Sequence, residues 1–285
     1  MKLGVVGVIP NDFDLVDEAR AKAIAAFGIT GVGAHVGGDP HEMSPERVRR
    51  LRDVLADQGI RIIQFWGWYP SIITPDERVR QTGVDHARRI VELGTHAGAD
   101  MIGIRPTSLS PKGAWSPHRD NYTPEAEDRL VQSLAEIAQA SEVHGLPLAL
   151  ECHVTTTLNT PQTVRRVIER TGSQWIKVNI DAVNFVGDFA TAFNTTPMLH
   201  DLFDTLGEYA AAAHVKDVTV GDDLVVHIDE TVPGRGFMDF DTLLSEFEAY
   251  LPEGYAFIEH LPEAQIPEAL AFVRGKLNSL KIPIR

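Results

Sequence analysis

The feature that most constrains the fold is a change from helical to strand-like periodicity that recurs at glycines along the chain. Glycine suits this position because the residue that ends a helix often takes a left-handed conformation. Seven glycines precede a short β-branched or aliphatic run: Gly28, Gly59, Gly98, Gly145, Gly172, Gly207 and Gly254. With one further run at the N-terminus, eight strands are predicted: residues 3–9, 29–36, 60–66, 101–105, 146–151, 175–181, 211–215 and 255–260.

Helix starts give an independent count of the same units. A Ser or Thr followed by Pro provides an N-cap side chain and then a residue whose backbone already suits the first helical turn. Five such pairs precede helical patterns: Ser44-Pro45, Thr74-Pro75, Thr123-Pro124, Thr160-Pro161 and Thr196-Pro197. Thr74 and Glu77 also match a capping box. Strand and helix are therefore predicted to alternate throughout the chain.

This alternation predicts a single α/β domain over residues 1–285, a parallel eight-stranded (β/α)8 TIM barrel. The short strands are too apolar to have a solvated face, as expected of a parallel sheet covered by helices. An open, doubly wound sheet is the alternative, but residues 8–12 read Val-Ile-Pro-Asn-Asp instead of a glycine-rich phosphate-binding turn. Two long connections, residues 106–123 and 218–239, are expected to shape a substrate site.

Charge and composition restrict the partners of the chain. The formal net charge of −14 opposes an extended nucleic-acid or anionic membrane surface and favours a small neutral substrate. The one cysteine, Cys152, excludes an internal disulfide. Because successive side chains of a strand point to opposite faces, Cys152 is expected to point away from the barrel axis, where its thiol would be buried and inert. No apolar run is long enough to span a bilayer, and the N-terminus lacks a signal-peptide pattern. A cytoplasmic location is predicted.

Four consecutive predicted strands, the fifth to the eighth, end in side chains that bind metals: Glu151, Asp181, His214 and Glu259. The C-terminal ends of barrel strands converge on one site, so these side chains are expected to meet. Three carboxylates that face one cavity repel each other unless a cation lies between them. One divalent metal ion is therefore predicted, with Mn²⁺ preferred for oxygen-rich ligands and Mg²⁺, Co²⁺ or Zn²⁺ compatible with the set.

Side-chain alternation adds candidates for proton transfer and substrate contact. His153 shares a strand face with Glu151, and Lys216 shares one with His214. Alternatively, His153 supports a ligand and Lys216 forms a structural ion pair with Asp217 or Glu259. Further candidates for substrate contact end the second, third and fourth strands: His35, Trp66 and Arg105. Packing beneath the loops is the alternative for Trp66, and a structural role is the alternative for Arg105.

These residues and two further motifs resemble one known family. The ligand set, His214-Val215-Lys216-Asp217 and the glycine-rich turn at residues 233–240 are similar to those of sugar phosphate isomerases and epimerases, which are xylose isomerase-like TIM barrels. The resemblance implies a metal that binds two neighbouring sugar oxygens and polarises the carbonyl, which leads to an enediolate. It also implies that Glu151 and Glu259 act as acid and base on opposite faces of the substrate. Because metal coordination lowers the basicity of a carboxylate, His153 or Lys216 is the alternative proton-transfer group.

Two departures from this family concern substrate choice. Ketose 3-epimerases of the group carry a histidine three residues after the sixth-strand aspartate and an arginine six residues after the seventh-strand histidine. Here these positions are Asn184, a predicted substrate contact, and Val220. The alternative reaction is elimination by a lyase or dehydratase acting on a keto-cyclitol or a 3-keto-glycoside, including C-glycoside cleavage. The motif at residues 214–217 also resembles inosose dehydratases.

The sequence therefore predicts a metal-dependent sugar isomerase or epimerase, with a lyase as the second choice. An endonuclease IV-like phosphodiesterase is less favoured, because that class needs a histidine-rich zinc cluster and a basic surface. The complete ligand set argues against a non-catalytic sugar-binding protein. Because members of the resembling family commonly assemble, an oligomer or a partner subunit is expected.

Overall fold

A computed structural model describes all 285 residues of the chain. Eight strands form a closed barrel in which every neighbouring pair is parallel. They are β1 (Lys2–Val5), β2 (Gly31–Val36), β3 (Arg61–Gly67), β4 (Met101–Ile104), β5 (Leu148–Leu150), β6 (Ile176–Asp181), β7 (Ala210–His214) and β10 (Tyr255–Ile258). Their order around the barrel is β1-β10-β7-β6-β5-β4-β3-β2, and the ring closes between β2 and β1. The predicted (β/α)8 barrel is confirmed.

Helices connect the strands and cover the outside of the barrel. They are α1 (Glu18–Ala25), α2 (Pro45–Ala56), α3 (Glu77–Ala97), α4 (Pro124–His144), α5 (Pro161–Thr171), α6 (Phe189–Phe193), α7 (Thr196–Leu206), α8 (Phe240–Tyr250) and α9 (Ile266–Ser279). Short 3-10 turns lie at Phe13–Leu15, Arg119–Tyr122, Ala182–Phe185, Gly207–Tyr209 and Glu263–Gln265. None of the helices is both long enough and apolar enough to cross a membrane.

The core has two parts. A continuous cluster of 72 buried side chains packs the helices against the sheet. A separate cluster of six lies on strands of the barrel: Ile63, Met101, Ala149, Ala212, Tyr255 and Phe257. The separation follows from strand alternation, since successive side chains point to opposite faces. We infer that the six fill the barrel interior below the carboxyl ends of the strands, so that a site at the mouth has an apolar floor.

The N-cap predictions are correct at three of five positions. Ser44, Thr123 and Thr160 accept a backbone hydrogen bond as predicted. The prediction for Thr74 is wrong: α3 begins two residues later, where the Asp76 carboxylate accepts from two backbone amides. A carboxylate competes well for this position because it complements the positive end of the helix.

The fifth predicted cap, Thr196, lies inside α7 instead of before it. Its hydroxyl donates to the carboxylate of Asp239 at 2.7 Å, so it connects α7 to the turn before α8.

The glycine signals also differ in kind. Gly98, Gly145 and Gly172 cap their helices in the left-handed conformation. Gly207 is the C-cap of α7, as predicted, but its φ of −56° is right-handed and it continues into a 3-10 turn. Space explains its glycine instead, because a Cβ at Gly207 would overlap the ring of Tyr250.

The second long connection is more ordered than a loop. Residues 218–239 were predicted as a long connection, and an antiparallel hairpin occupies residues 217–231. Its strands are β8 (Asp217–Val220) and β9 (Ile228–Thr231). The hairpin is paired only with itself and lies at the carboxyl end of β7.

A buried guanidinium connects α3, α4 and the segment after β3. The Arg80 side chain has 0% exposure; it donates twice to Glu77 at 2.7 Å, and to Glu136 at 3.0 Å and Ser133 at 2.8 Å. The Ser133 hydroxyl in turn donates to the carbonyl of Ile72 at 2.7 Å. Because these groups are satisfied only together, removing the arginine leaves a cavity and unpaired polar atoms.

We expect Arg80→Ala to lower the free energy of unfolding by about 2–3 kcal/mol. Urea denaturation followed by circular dichroism measures the change. The matched control is Arg78→Ala, because Arg78 is exposed on the same helix. Equal stabilities for the two variants would show that the buried network contributes nothing.

Candidate metal centre and active site

The four predicted metal ligands meet at the carboxyl ends of neighbouring strands. Asp181 and His214 end β6 and β7, whereas Glu151 and Glu259 follow β5 and β10 by one residue. One ligand atom from each residue lies within 4.8 Å of the other three. The Nδ1 atom of His214 is 2.8 Å from Oε2 of Glu259 and 3.6 Å from Oδ2 of Asp181. All four residues are at most 9% exposed.

The residues present fit a divalent metal ion. Three of their atoms are buried without a hydrogen-bond partner: Asp181 Oδ1, His214 Nδ1 and Glu259 Oε2. The short separation of the last two lacks the alignment of a hydrogen bond. Buried polar atoms are nearly always satisfied, so a common partner explains these three better than isolated contacts do. Carboxylate and imidazole ligands suit Mn²⁺, Mg²⁺, Co²⁺ or Zn²⁺.

Gln64 on β3 orients the histidine ligand and was missed by sequence reasoning. Its Oε1 lies 3.1 Å from Nε2 of His214, and its amide nitrogen donates to Oδ1 of Asn179 at 3.0 Å. This network assigns the ring proton to Nε2 and leaves the Nδ1 lone pair directed at the carboxylates, which is how supporting groups orient metal-bound histidines. The signal in the sequence was one amide side chain inside the otherwise apolar segment 62–65, and the structure buries it fully.

Lys216 lies between the predicted ligands and the hairpin. Its ammonium group is 2.7 Å from Oδ2 of Asp181, 3.3 Å from Oε2 of Glu259 and 2.9 Å from Oε1 of Glu230. The side chain is only 3% exposed. The pairing with Glu259 was one of the predicted alternatives, whereas the pairing with Asp217 is wrong.

Asp217 has a different role, which is to hold the glycine-rich turn at residues 233–240. Its carboxylate accepts hydrogen bonds from the backbone amides of Val218, Gly234, Gly236 and Met238. A Cβ at Gly236 would overlap the Val218 carbonyl and this carboxylate, which explains the glycine. The turn is therefore structural.

Charge is balanced inside the cluster. Burial, and next the charge of Glu259, raise the pKa of Glu151 to about 7. Burial opposes protonation of His214, but the carboxylates of Glu259 and Asp181 outweigh it and raise its pKa to about 10. Burial also acts on Glu259, where the cations of His214 and Lys216 dominate and hold its pKa well below the usual range. A proton and a metal ion therefore compete for the same imidazole.

A cavity of about 370 Å³ opens above the cluster. Asp181 and His214 lie beneath its lining, because they are 1% and 0% exposed. Eight predicted site residues line it: His35, Trp66, Arg105, Glu151, His153, Asn184, Lys216 and Glu259. Four further residues line it that were not singled out: Val6, Trp115, Glu230 and His260. The structure brings the predicted residues together, and their individual roles stay predictions.

His153 has a defined orientation in this cavity. Its Nδ1 accepts from the backbone amide of Thr155 at 3.1 Å and lies 2.8 Å from the Thr155 hydroxyl. In the neutral ring the proton is therefore on Nε2. The ring of Trp115 lies beside it, with ring centroids 6.1 Å apart. His153 can thus donate a hydrogen bond from Nε2.

Two of the predicted substrate contacts, Trp66 on β3 and Arg105 directly after β4, are held in place by neighbouring groups of the chain. Trp66 lies over the backbone of Gly103, where a Cβ would overlap the indole ring, and its ring centroid is 6.1 Å from that of His214. Arg105 donates to the carbonyl of Gly67 at 2.9 Å and lies 5.0 Å from the centroid of the Tyr69 ring. Both side chains are therefore fixed before a substrate arrives.

The remaining two predicted contacts have different environments. Burial, and next the charge of Arg105, lower the pKa of His35 to about 4, so this ring is neutral near pH 7. The amide nitrogen of Asn184 donates to Oδ2 of Asp181 at 2.9 Å, which supports a predicted ligand. Asn184 thus contacts both the cluster and the cavity.

Glu230 and His260 close the side of the cavity next to Lys216. One Glu230 oxygen is 2.9 Å from Nζ of Lys216, and the other is 2.9 Å from Nδ1 of His260. Burial raises the pKa of Glu230, but His260 and Lys216 outweigh it and bring the value to about 2. Sequence reasoning missed Glu230 because it treated residues 218–239 as a loop, where side-chain alternation gives no direction.

A closed barrel whose neighbouring strands bring three carboxylates and one imidazole together at the floor of a cavity is a TIM barrel with a candidate metal site at its mouth. The chain belongs to the xylose isomerase-like TIM barrel family, whose sequence profile matches residues 21–276.

Individual relatives are distant in sequence. An inosose dehydratase from Geobacillus thermodenitrificans is 23% identical over 257 residues, which cover 83% of this chain and 78% of that protein. A solved D-tagatose 3-epimerase-like protein is 18% identical with a TM-score of 0.76, covering 99% of this chain and 98% of the other. A xylose isomerase-like TIM barrel protein from Mycobacterium smegmatis, solved with magnesium, is 16% identical with a TM-score of 0.74, covering 98% and 96%.

Proposed function

We propose that the protein is a divalent-metal-dependent isomerase or epimerase that moves a proton next to the carbonyl of a sugar or sugar derivative. The observation that carries the proposal is the set of unpartnered, buried ligand atoms beneath a cavity of about 370 Å³. Family membership and the structural similarity to an epimerase-like protein support it. The single cysteine, which leaves no internal disulfide, supports the predicted cytoplasmic location.

Glu151, Asp181, His214 and Glu259 would hold the ion. When bound, it would supply the Lewis acidity that polarises a substrate carbonyl and acidifies the adjacent C–H bond. We keep Mn²⁺ as the first choice because three of the four ligands are carboxylates.

Proton transfer falls to side chains that reach the cavity from separate strands. Glu151 follows β5 and Glu259 follows β10, with β6 and β7 between them in the barrel. This separation suits an acid and a base on opposite faces of one carbon, as the resemblance implied. His153 and Lys216 line the same cavity and are the alternative groups.

Substrate binding falls to the other side of the cavity. Trp66 presents an aromatic ring that suits the C–H face of a sugar. Arg105, held over the ring of Tyr69, provides donors for hydroxyl or carbonyl oxygens, and the neutral ring of His35 can donate or accept. These fixed side chains would orient the substrate, which lowers the entropic cost of reaching the reactive geometry.

A second candidate reaction is elimination from a keto-cyclitol or a 3-keto-glycoside. The same carbanion-like state expels a group on the neighbouring carbon when an acid can protonate that group. Glu151 or Glu259 would supply that proton, and the neutral ring of His153, which lines the cavity, can orient the departing group by donating a hydrogen bond from Nε2. The Asn184 and Val220 departures and the similarity to an inosose dehydratase also favour this reaction.

Solvent deuterium exchange distinguishes the two reactions. The metal-free protein is loaded with Mn²⁺ and incubated in D₂O with ketoses, keto-cyclitols and 3-keto-glycosides. After removal of the metal, NMR and mass spectrometry detect label at the carbon next to the carbonyl. We expect metal-dependent exchange together with a new stereoisomer.

The other outcomes are equally decisive. Release of water or of an aglycone from the labelled substrate would establish elimination instead. If the protein incorporates deuterium at the same rate when a chelator is present throughout the incubation, the metal requirement is contradicted. No exchange in any substrate class, with the metal shown to be bound, would contradict both reactions.

A further inference from the structure

A second group of metal-binding side chains lies away from the cavity described above. Asp39 and His41 belong to the connection between β2 and α2, and His86 lies in the middle of α3. One ligand atom from each lies within 4.8 Å of the others. None of the three lines the cavity above the first cluster.

His86 is the observation that points to a ligand. Its side chain is only 10% exposed, and its Nδ1 is buried without a hydrogen-bond partner. Its Nε2 faces the cluster, 3.6 Å from Oδ1 of Asp39. Trp68 packs edge-on against the ring, with ring centroids 5.8 Å apart. Neither ring nitrogen of His86 makes a hydrogen bond within the chain, so an ion bound at Nε2 would give this buried ring its one strong polar partner.

His41 is oriented as a metal ligand would be. Its Nε2 lies 2.9 Å from Oδ2 of Asp85, which leaves Nδ1 available to an ion. A carboxylate on the outer nitrogen is the usual support of a metal-bound histidine, because it fixes the tautomer and increases the basicity of the ring. The rings of His41 and His86 are edge-on, with centroids 5.4 Å apart, so both can approach one point.

The spacing agrees with a small, tetrahedral ion. Bonds of about 2.0–2.1 Å from zinc to nitrogen or oxygen place two ligands roughly 3.3 Å apart. The 3.6 Å between His86 Nε2 and Asp39 Oδ1 is close to that value. Asp39 and Asp85 bring negative charge to the cluster, while the neighbouring Arg89 is paired with Glu92 at 2.7 Å.

We propose that Asp39, His41 and His86 bind a second divalent transition-metal ion of the Zn²⁺ class, with Asp85 supporting His41. Two imidazoles and one carboxylate suit Zn²⁺ or Co²⁺ better than Mg²⁺, which prefers oxygen ligands. The ion connects the segment that follows β2 to α3 beside Trp68. It therefore fixes the rim of the barrel mouth and takes no part in the reaction proposed above.

Metal stoichiometry tests this site without an activity assay. The metal-free protein is titrated with Co²⁺, followed by visible absorption, and with Zn²⁺, followed by equilibrium dialysis and metal analysis. We expect two bound ions in the wild type and one in His41→Asn. In a His214→Asn protein, which has lost a ligand of the first cluster, we expect the second site to remain. Adding His41→Asn to that protein is expected to abolish its binding.

Controls separate the site from general effects of removing a histidine. His200→Asn is the matched control, because the ring of His200 also lies 2.9 Å from a carboxylate, that of Glu246, at a similar exposure. It should keep two ions. Asp85→Asn is expected to weaken the second site by about 10–100-fold without abolishing it.

Trp68 provides a local signal. Co²⁺ should quench the fluorescence of Trp68 in the wild type. This part of the quenching should be absent from Trp68→Phe, which lacks the indole, and from His41→Asn, which lacks the ion. Because the His41 side chain is 47% exposed, its replacement should leave the fold intact, which circular dichroism verifies. The proposal is overturned if folded His41→Asn binds as many ions as the wild type, or if folded His214→Asn binds none.

Discussion

Replacing either ligand glutamate by glutamine is expected to lower the rate of substrate proton exchange by about 10²–10⁴-fold, the usual contribution of a positioned acid or base. Glu151→Gln and Glu259→Gln each remove one negative charge from the cluster while keeping the size of the side chain. Metal affinity should also fall, because an amide oxygen is a weaker ligand than a carboxylate. The rate is therefore measured at saturating Mn²⁺, with bound metal determined in the same samples.

Glu253→Gln is the matched control for this pair. Glu253 is exposed just before β10, at the end of the strand opposite to Glu259. The same substitution there should leave both metal binding and exchange unchanged. If a glutamate variant that is fully loaded with metal exchanges at the wild-type rate, that glutamate does not transfer the proton, and His153 or Lys216 becomes the candidate.

A methyl group at Gly103 is expected to have the second largest effect. The Cβ of Gly103→Ala would occupy the space of the Trp66 indole ring, which lines the cavity above His214. The ring or strand β4 must move, and overpacking of this kind costs about 3 kcal/mol. Displacement of a cavity wall by about 1 Å can reduce kcat/KM by about 10²-fold.

Thermal unfolding and steady-state kinetics measure the two effects of Gly103→Ala. Gly275→Ala in α9 is the control, because no atom lies within 4 Å of the added methyl group. That variant should gain about 0.5–1 kcal/mol, since alanine favours a helix. If Gly103→Ala is as stable and as active as the wild type, Trp66 is not a fixed wall of the cavity.

Strand and ligand positions could be predicted because both follow from local rules. Apolar runs of five to eight residues marked the strands, and each predicted ligand lies at the end of such a run or one residue before it. Glu151 lies one residue beyond β5, yet its amide still donates to the Ile104 carbonyl at 2.9 Å, so the strand direction extends to it. Alternation then gives the correct face for Glu151.

The missed residues depend on contacts between distant segments. Glu230 reaches the cavity only because residues 217–231 fold back as a hairpin. The pairing of Lys216 with Asp181 and Glu230 requires three separate segments to meet, which one strand pattern cannot reveal. Gln64 was recognisable as an isolated polar residue in an apolar strand, but its partners, His214 and Asn179, were not.

The second cluster, Asp39, His41 and His86, could not be predicted from the sequence for the same reason, because its residues come from distant segments of the chain. Asp39 and His41 precede α2, whereas His86 lies in the middle of α3, more than 40 residues later in the chain. No short sequence motif therefore joins the three residues. Only the packing of α3 beside the segment after β2 brings their side chains together. Sequence reasoning had assigned no role to any of them.

The strand order divides the mouth of the barrel into two arcs. The four cluster residues come from β5, β6, β7 and β10, which are adjacent, whereas His35, Trp66 and Arg105 come from β2, β3 and the end of β4 on the opposite arc. Apart from Gln64, which orients His214 from β3, the two arcs can therefore accumulate mutations semi-independently. A lineage that varies the β2–β4 arc can acquire a new sugar preference while inheriting an unchanged ion-binding arc, and directed evolution for new substrates should begin there.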